Sequence, residues 1–295
     1  PAPISQPLDA VKDGVGAAGE TVGQAMTATQ DAVSRLLGGA QHFVAGAGEQ
    51  APKAAEQVAS TAGAQATRVQ TALGGPIRGE VATTVLPPDI TGYEKSDVYA
   101  TDGNKGDVAK AKDQLKACGK TAINTNISAR SDRPQEIDAA TAIIASLKKV
   151  GINASLKQYP SGKYFTDYAG VPTFDKKQNI GLHMMQWGAD WPSGYGFLQQ
   201  ILHGDAIGAS GNTNLSYLND KQINEMLEKA IATEDDTARN ALYAQIDKRA
   251  MDLAALVPLT YFKVLLYRPT GFTNLVSTAA FSGQYDYLNI GTTKK

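Results

Sequence analysis

The chain has 295 residues, of which 42% are hydrophobic and 19% charged, and its formal net charge is -1 at pH 7. This composition fits a globular protein of one or two domains. The near-neutral charge gives no electrostatic basis for nucleic-acid binding, so we expect no nucleic-acid partner. No apolar run approaches the about 20 residues that cross a bilayer. The single cysteine, Cys118, excludes an internal disulfide.

Residues 1–67 differ in composition from the rest of the chain. They are rich in Ala, Gly, Gln and Thr, and Phe43 is their only aromatic residue. Their helical patterns carry thin apolar stripes that would bury little area. We predict an Ala/Gly-rich helical segment or spacer over 1–67.

The region from residue 68 onwards alternates strand-like and helix-like patterns. The clearest helix starts at Pro134 and runs to Lys149, with Ile137, Ala140, Ile144 and Leu147 facing inward. A strand at Thr121–Ile127 precedes it and a strand at Ile152–Tyr159 follows it. Strand, helix and strand with short links predict a βαβ unit with parallel strands, and hence an α/β fold.

Other elements are predicted on the same grounds of periodicity and Gly or Pro boundaries. The predicted strands are Glu80–Leu86, Asn179–Trp187 and Leu259–Tyr267, the last apolar enough to be buried. The predicted helices are Asp107–Ala117, Phe197–His203, Lys221–Ala232 and Thr237–Leu256.

The stretch Gln186–Leu198 contains both tryptophans of the chain, Trp187 and Trp191, on either side of Asp190. It follows a buried strand, where ligands tend to sit in open α/β sheets. An acid between aromatic residues, followed by a glycine-rich turn, indicates a ligand pocket. The alternative is a core tryptophan pair with a turn aspartate that caps the next helix.

No catalytic constellation stands out. His42, His183 and His203 are scattered, and none has a His or Cys partner at metal-ligand spacing. His183 lies in a predicted strand and is expected to be structural. No nucleophile–base pair is visible, so we expect no enzyme, no cofactor and no metal site.

Several collinear segments together resemble the C-terminal half of the extracytoplasmic solute-binding proteins of peptide ABC importers, known as family 5. They are Leu73-Gly74-Gly75-Pro76 leading to Thr83–Tyr93, Asp107–Ala111, Ala142–Ile152, Trp187–Pro192 and Asn219–Ala230. The fourth of these is similar to the Trp-x-x-Asp-Tyr-Pro segment of the family. The resemblance implies bacterial type II periplasmic-binding-protein lobes, here incomplete.

The resemblance also implies a function and a site. It implies peptide binding for ABC-type import, with Asp190 pairing with the peptide α-ammonium group and with Trp187 and Trp191 as walls. Tyr195 and Gly188 belong to the same segment and complete the expected ligand-binding residues. The expected partners are a peptide and an ABC permease at the membrane surface.

The resemblance further implies a domain arrangement and a location. Residues 68–190 are expected to form mainly one α/β lobe, and residues 191–295 to return to the other lobe. The family is about twice this length, so a missing N-terminal lobe or another protein is a further expected partner. The start at Pro1 suggests a processed, extracytoplasmic protein, and no cysteine near residue 1 offers a lipid anchor. The alternative function is a secreted scaffold or interaction protein without transport activity.

Overall fold

The computed structural model describes residues 66–101, 106–278 and 283–293. The predicted helical segment over 1–67 lies outside the described residues apart from its last two positions. The described α-helices are α1 (Ala66–Ala72), α2 (Gly75–Arg78), α3 (Val108–Ala117), α4 (Pro134–Lys148), α5 (Pro172–Gln178), α6 (Gly194–Leu202), α7 (Lys221–Ile231) and α8 (Asp236–Asp252). The described strands are β1 (Gly79–Val81), β2 (Ile123–Arg130), β3 (Ile152–Tyr159), β4 (Ile180–His183), β5 (Thr260–Phe262), β6 (Phe272–Thr273) and β7 (Gly291–Thr292).

Three parallel strands form the central sheet in the order β3-β2-β4. The register of β2 against β3 runs unbroken from the Ile123/Ile152 pair to the Arg130/Tyr159 pair. Helix α4 connects these two strands, which confirms the predicted βαβ unit and the α/β class. Two small antiparallel pairs, β1 with β5 and β6 with β7, complete the sheets of the described residues. None of the described helices has the length and apolar character needed to cross a bilayer.

The central sheet packs on α1, α3 and α4 through one hydrophobic core. The inward face of α4 differs from the prediction, because Ala139, Ala140, Ile143 and Leu147 are buried. Ile137 and Ile144 are only half-buried. Glu136 is also buried in the first turn, where its carboxylate pairs with the guanidinium of Arg130 at the end of β2.

A second hydrophobic core joins α6, α7 and α8 with Val85 and Leu86. Helices α7 and α8 begin at capping aspartates, since Asp220 accepts from the amide of Ile223 at 3.0 Å and Asp235 accepts from that of Ala238 at 2.7 Å. The amphipathic pattern therefore predicted both α7 and α8 correctly, with α8 ending earlier than expected.

The predicted strand Glu80–Leu86 is confirmed only at its first residues, as β1. The amide of Ala82 still donates to the backbone carbonyl of Leu259 at 3.2 Å, but from Thr83 to Leu86 the backbone amides bond to side chains instead of to a neighbouring strand. The hydroxyl of Tyr261 accepts from Thr83 at 3.1 Å and from Thr84 at 2.8 Å. Because these amides have side-chain partners, no strand ladder is needed to satisfy them.

The predicted buried strand Leu259–Tyr267 is also wrong in most of its length. Only β5 is extended in a ladder, and it pairs with β1. Phe262, Val264, Leu265 and Tyr267 are exposed within the structure. Apolar composition indicated a core strand, but the described residues offer no second layer that covers this segment.

Candidate functional site

The segment Gln186–Ser193 links the end of β4 to the start of α6, at the carboxyl edge of the parallel sheet. Ser193 begins the helix, because its hydroxyl accepts a 3.2 Å hydrogen bond from the amide of Tyr195. The predicted alternative, in which the turn aspartate caps this helix, is therefore wrong. Asp190 is left without a capping role.

Trp187 fixes the segment to the body of the protein. Its indole is half-buried and packs against the second core. Its Nε1 donates a 2.8 Å hydrogen bond to the carbonyl oxygen of Phe197 in α6. Trp187 thus acts as a structural anchor, whereas the alternative interpretation expected both tryptophans in the core.

Asp190 is exposed, and only its backbone is tied to the fold. Its amide donates a long hydrogen bond of 3.4 Å to the carbonyl oxygen of Gly196. Its carboxylate has no hydrogen bond or ion pair with any of the described residues. A carboxylate that is held in place by its backbone and carries no internal partner is free to bind an external cation.

The exposed ring of Trp191 and the half-buried ring of Tyr195, in the first turn of α6, form an aromatic pair. Their ring centroids lie 6.3 Å apart with planes inclined by 30°, and Trp191 is 52% exposed. The indole lies over Gly196, where an added Cβ would come within 2.9 Å of the ring. Partial burial raises the pKa of the Tyr195 phenol. The pair offers a flat apolar surface one residue from the free carboxylate.

Gly188 in the segment and Gly194 directly after it play different roles. A Cβ added at Gly188 meets nothing within 4 Å, so this position borders open space. A Cβ added at Gly194 would lie 2.5 Å from the ring of Tyr243 and 2.6 Å from the carbonyl oxygen of Thr91. The amide of Gly194 also donates to the Thr91 hydroxyl at 3.1 Å. Thr91 and Tyr243 therefore support the segment from distant parts of the chain, and no local pattern could have revealed them.

A buried polar network lies beside the segment, beneath the carboxyl edge of the sheet. The Ser128 hydroxyl lies 2.8 Å from Nδ1 of His183, whose Nε2 lies 3.3 Å from Oδ2 of Asp175. The Tyr217 hydroxyl donates to the same carboxylate at 2.5 Å, and the Tyr164 hydroxyl lies 2.7 Å from Ser128. Burial raises the pKa of both phenols far above 10.

This network has the residue types of a hydrolase triad but not its accessibility. Ser128 is 0% exposed and shares its hydroxyl with Tyr164, so no substrate carbonyl can reach it. The network instead joins β2, β4 and α5, which confirms that His183 is structural. Among the described residues, no group of His, Cys, Asp or Glu could hold a metal ion.

Comparison with known proteins places this geometry in a family. Residues 69–209 match the family described as bacterial extracellular solute-binding proteins, family 5 middle region. The chain is 26% identical over 174 residues to the probable D,D-dipeptide-binding periplasmic protein DdpA of Escherichia coli K12, covering 59% of this chain and 31% of that protein.

Solved structures show the same fold. The clavulanic acid biosynthesis oligopeptide binding protein 2 is 31% identical with a TM-score of 0.77, covering 83% of this chain and 44% of that one. The periplasmic binding protein DppA of Helicobacter pylori, solved with the peptide STSA, is 24% identical with a TM-score of 0.60, covering 78% of this chain and 44% of that one.

The chain thus spans less than half the length of these relatives. The relatives are solute-binding proteins and not enzymes, and the fold is that of incomplete type II periplasmic-binding-protein lobes. Residues 69–209 of this protein match family 5 of the bacterial extracellular solute-binding proteins, and its described fold is similar to that of the oligopeptide binding protein named above.

Proposed function

We propose that the chain binds peptides outside the cytoplasm for ABC-type import, with Asp190 pairing with the α-ammonium group of the peptide. The observation that carries this proposal is the exposed and unpartnered carboxylate of Asp190 on a segment anchored by Trp187. An ammonium group is the complementary cation, and a charge-assisted hydrogen bond would select peptides with a free N-terminus.

The aromatic pair supports the same ligand class. Trp191 and Tyr195 present apolar surface to the first side chain of such a peptide, and Gly188 leaves open space along the segment. Flat aromatic contacts accept many side chains, which favours broad specificity. The names of two relatives also support a peptide ligand, since one is a probable D,D-dipeptide-binding protein and another was solved with a peptide.

The proposal includes the arrangement of lobes and partners. Residues 68–190 would form mainly one lobe, and residues 191–295 would return to the other. Because the relatives are more than twice as long as the part that matches, a further lobe or another protein would supply the rest of the cleft. The family description supports an extracytoplasmic location, and delivery of the peptide to an ABC permease is part of the proposal.

Isothermal titration calorimetry on the full chain tests the site. The ligands are a pool of di- to pentapeptides and the same pool with acetylated N-termini. We expect binding of the free pool, about tenfold or greater weakening by Asp190→Asn, and no binding of the acetylated pool. Asp138→Asn is the matched control, since Asp138 is also an exposed aspartate without an ion pair among the described residues. Equal affinity of the two pools would overturn the assignment of Asp190.

A second candidate function is a secreted scaffold that binds another protein and transports nothing. The observation that favours it is the set of large apolar side chains exposed near the C-terminus, namely Phe262, Val264, Leu265, Tyr267 and Leu288. Sedimentation velocity with and without the peptide pool separates the two functions. Self-association that peptides do not alter, together with no calorimetric signal, supports the scaffold. A monomer that binds peptides supports transport.

A further inference from the structure

A groove of about 450 Å³ lies between the C-terminal ends of α3 and α4, at the amino edge of the central sheet. This edge is opposite to the one that β4 leaves towards Asp190. The polar lining is dominated by lysines, with one carboxylate among them. The charged lining residues are Lys112, Lys116, Lys120, Lys148, Lys149 and Asp113.

The usual reason for lysines at a helix C-terminus is to neutralise the free carbonyl groups there. In α3 these carbonyls already have backbone partners. The amide of Lys120 donates to Leu115 at 3.0 Å, and the amide of Gly119 donates to Lys116 at 2.9 Å. At the end of α4, the amide of Val150 donates to the carbonyl oxygen of Leu147 at 3.1 Å, and the amide of Gly151 donates to that of Lys148 at 3.3 Å. The ammonium groups are therefore not needed as caps.

The five lysines also lack ion-pair partners within the described part of the chain. Other lysines have them, since Lys163 pairs with Asp167 and Lys263 pairs with Glu80. All five groove lysines are exposed. Like charges around one groove repel one another, and a bound anion relieves this repulsion. The chain as a whole carries a net charge of -1, so this local excess of positive charge is a feature of the groove.

The floor of the groove is formed by well-packed residues. Leu115 and Val150 are buried beneath it in the sheet core. Gly151 has a φ of +91°, and a Cβ there would lie 2.7 Å from the carbonyl oxygen of Thr121. The backbone turn that shapes the groove is thus fixed by glycine, and the lysine stems extend from a rigid base.

We propose that this groove is a binding site for a multiply charged phosphate-bearing anion. A phosphate group carries up to two negative charges and several acceptor oxygens in a small volume, which matches many lysine donors around one cavity. The volume accommodates a short run of phosphate groups. The same chemistry is offered by a free polyphosphate and by the headgroups of an anionic membrane. The inference does not depend on peptide binding at Asp190.

Two probes distinguish these sources, both with the full chain at 0.15 M salt. Tripolyphosphate is titrated by calorimetry, and vesicles of phosphatidylcholine with or without phosphatidylglycerol are tested by co-sedimentation. We expect Lys148→Ala/Lys149→Ala to weaken binding of the anionic probe by about tenfold or more. The control is Lys176→Ala/Lys177→Ala, an exposed lysine pair at the end of α5 that does not line the groove.

Each result supports or overturns the proposal. Binding of tripolyphosphate that is weakened only by the groove variant supports a soluble ligand. Binding only to anionic vesicles, weakened only by the groove variant, supports a headgroup site. Binding of neither probe overturns the proposal, and so does an equal effect of the two lysine pairs. Because all four lysines are exposed, we expect both variants to fold, which circular dichroism checks.

Discussion

Oδ2 of Asp247 accepts a 2.9 Å hydrogen bond from the backbone amide of Leu86, 161 residues earlier in the chain. Oδ1 of the same carboxylate accepts from Val85 at 2.9 Å. Asp247 is 4% exposed, and burial raises its pKa from 3.8 to about 6 even though the two amides act in the opposite direction. A single carboxylate of α8 therefore holds the segment that follows β1 against the second core.

This contact predicts a pH dependence of stability. The folded carboxyl keeps its proton to a higher pH than the unfolded one, so its ionisation opposes folding. Its contribution to the free energy of unfolding should fall by about 3 kcal/mol as pH rises from about 4 to about 6. Asp247→Asn removes this titration. Urea denaturation across that range should therefore show that the difference in free energy of unfolding between wild type and variant changes with pH. A difference that stays constant with pH would contradict the prediction.

Gly188 in the candidate segment and Gly194 directly after it should respond differently to alanine. Gly194→Ala places a methyl group against Tyr243 and Thr91, and we expect it to lower the free energy of unfolding by about 1–3 kcal/mol. Gly188→Ala enters open space and should change it by no more than about 0.5 kcal/mol. Thermal denaturation of the two variants measures the contrast. Equal effects would show that the approach of α8 to this turn is not tight.

The buried network makes a third prediction. Ser128→Ala leaves Nδ1 of His183 and the Tyr164 hydroxyl without their shared partner, at a cost of about 1–3 kcal/mol. Ser155→Ala is the control, because Ser155 lies on the neighbouring strand β3 and is exposed. Chemical denaturation compares the two variants. If Ser128→Ala proved as stable as the control, the network would contribute little to holding the carboxyl edge of the sheet.

Local sequence signals were sufficient for the βαβ unit. Pro134 and Gly151 mark the boundaries of the connecting helix, and the strands on either side have enough apolar residues to be recognised. The same signals failed for Glu80–Leu86, because Tyr261 and Asp247 satisfy its amides from more than 160 residues away. No propensity scale contains such contacts, so a strand-like composition was not enough to predict a strand.

The candidate site shows the same division between local and distant information. The sequence points to Asp190 because an acid between aromatic residues after a buried strand indicates a ligand pocket. The separate roles of Trp187 and Trp191 were not predictable, since the anchor of Trp187 is a backbone carbonyl in the next helix. Likewise, the buried position of Glu136 depends on Arg130 at the end of a strand, and helix periodicity contains no information about that pair.

The two tryptophans allow a last prediction by fluorescence. Trp191 is 52% exposed, whereas Trp187 is half-buried and hydrogen-bonded, so iodide should quench Trp191 more strongly. Trp187→Phe and Trp191→Phe leave one emitter each and separate the signals, because the chain has only two tryptophans. If a peptide lies against Trp191 and Tyr195, saturating peptide should reduce iodide quenching in the Trp187→Phe variant, whose only emitter is Trp191. Iodide quenching in the Trp191→Phe variant, whose only emitter is Trp187, should not change. Protection of the Trp187 signal alone would place the ligand on the other side of the segment and contradict the proposed site.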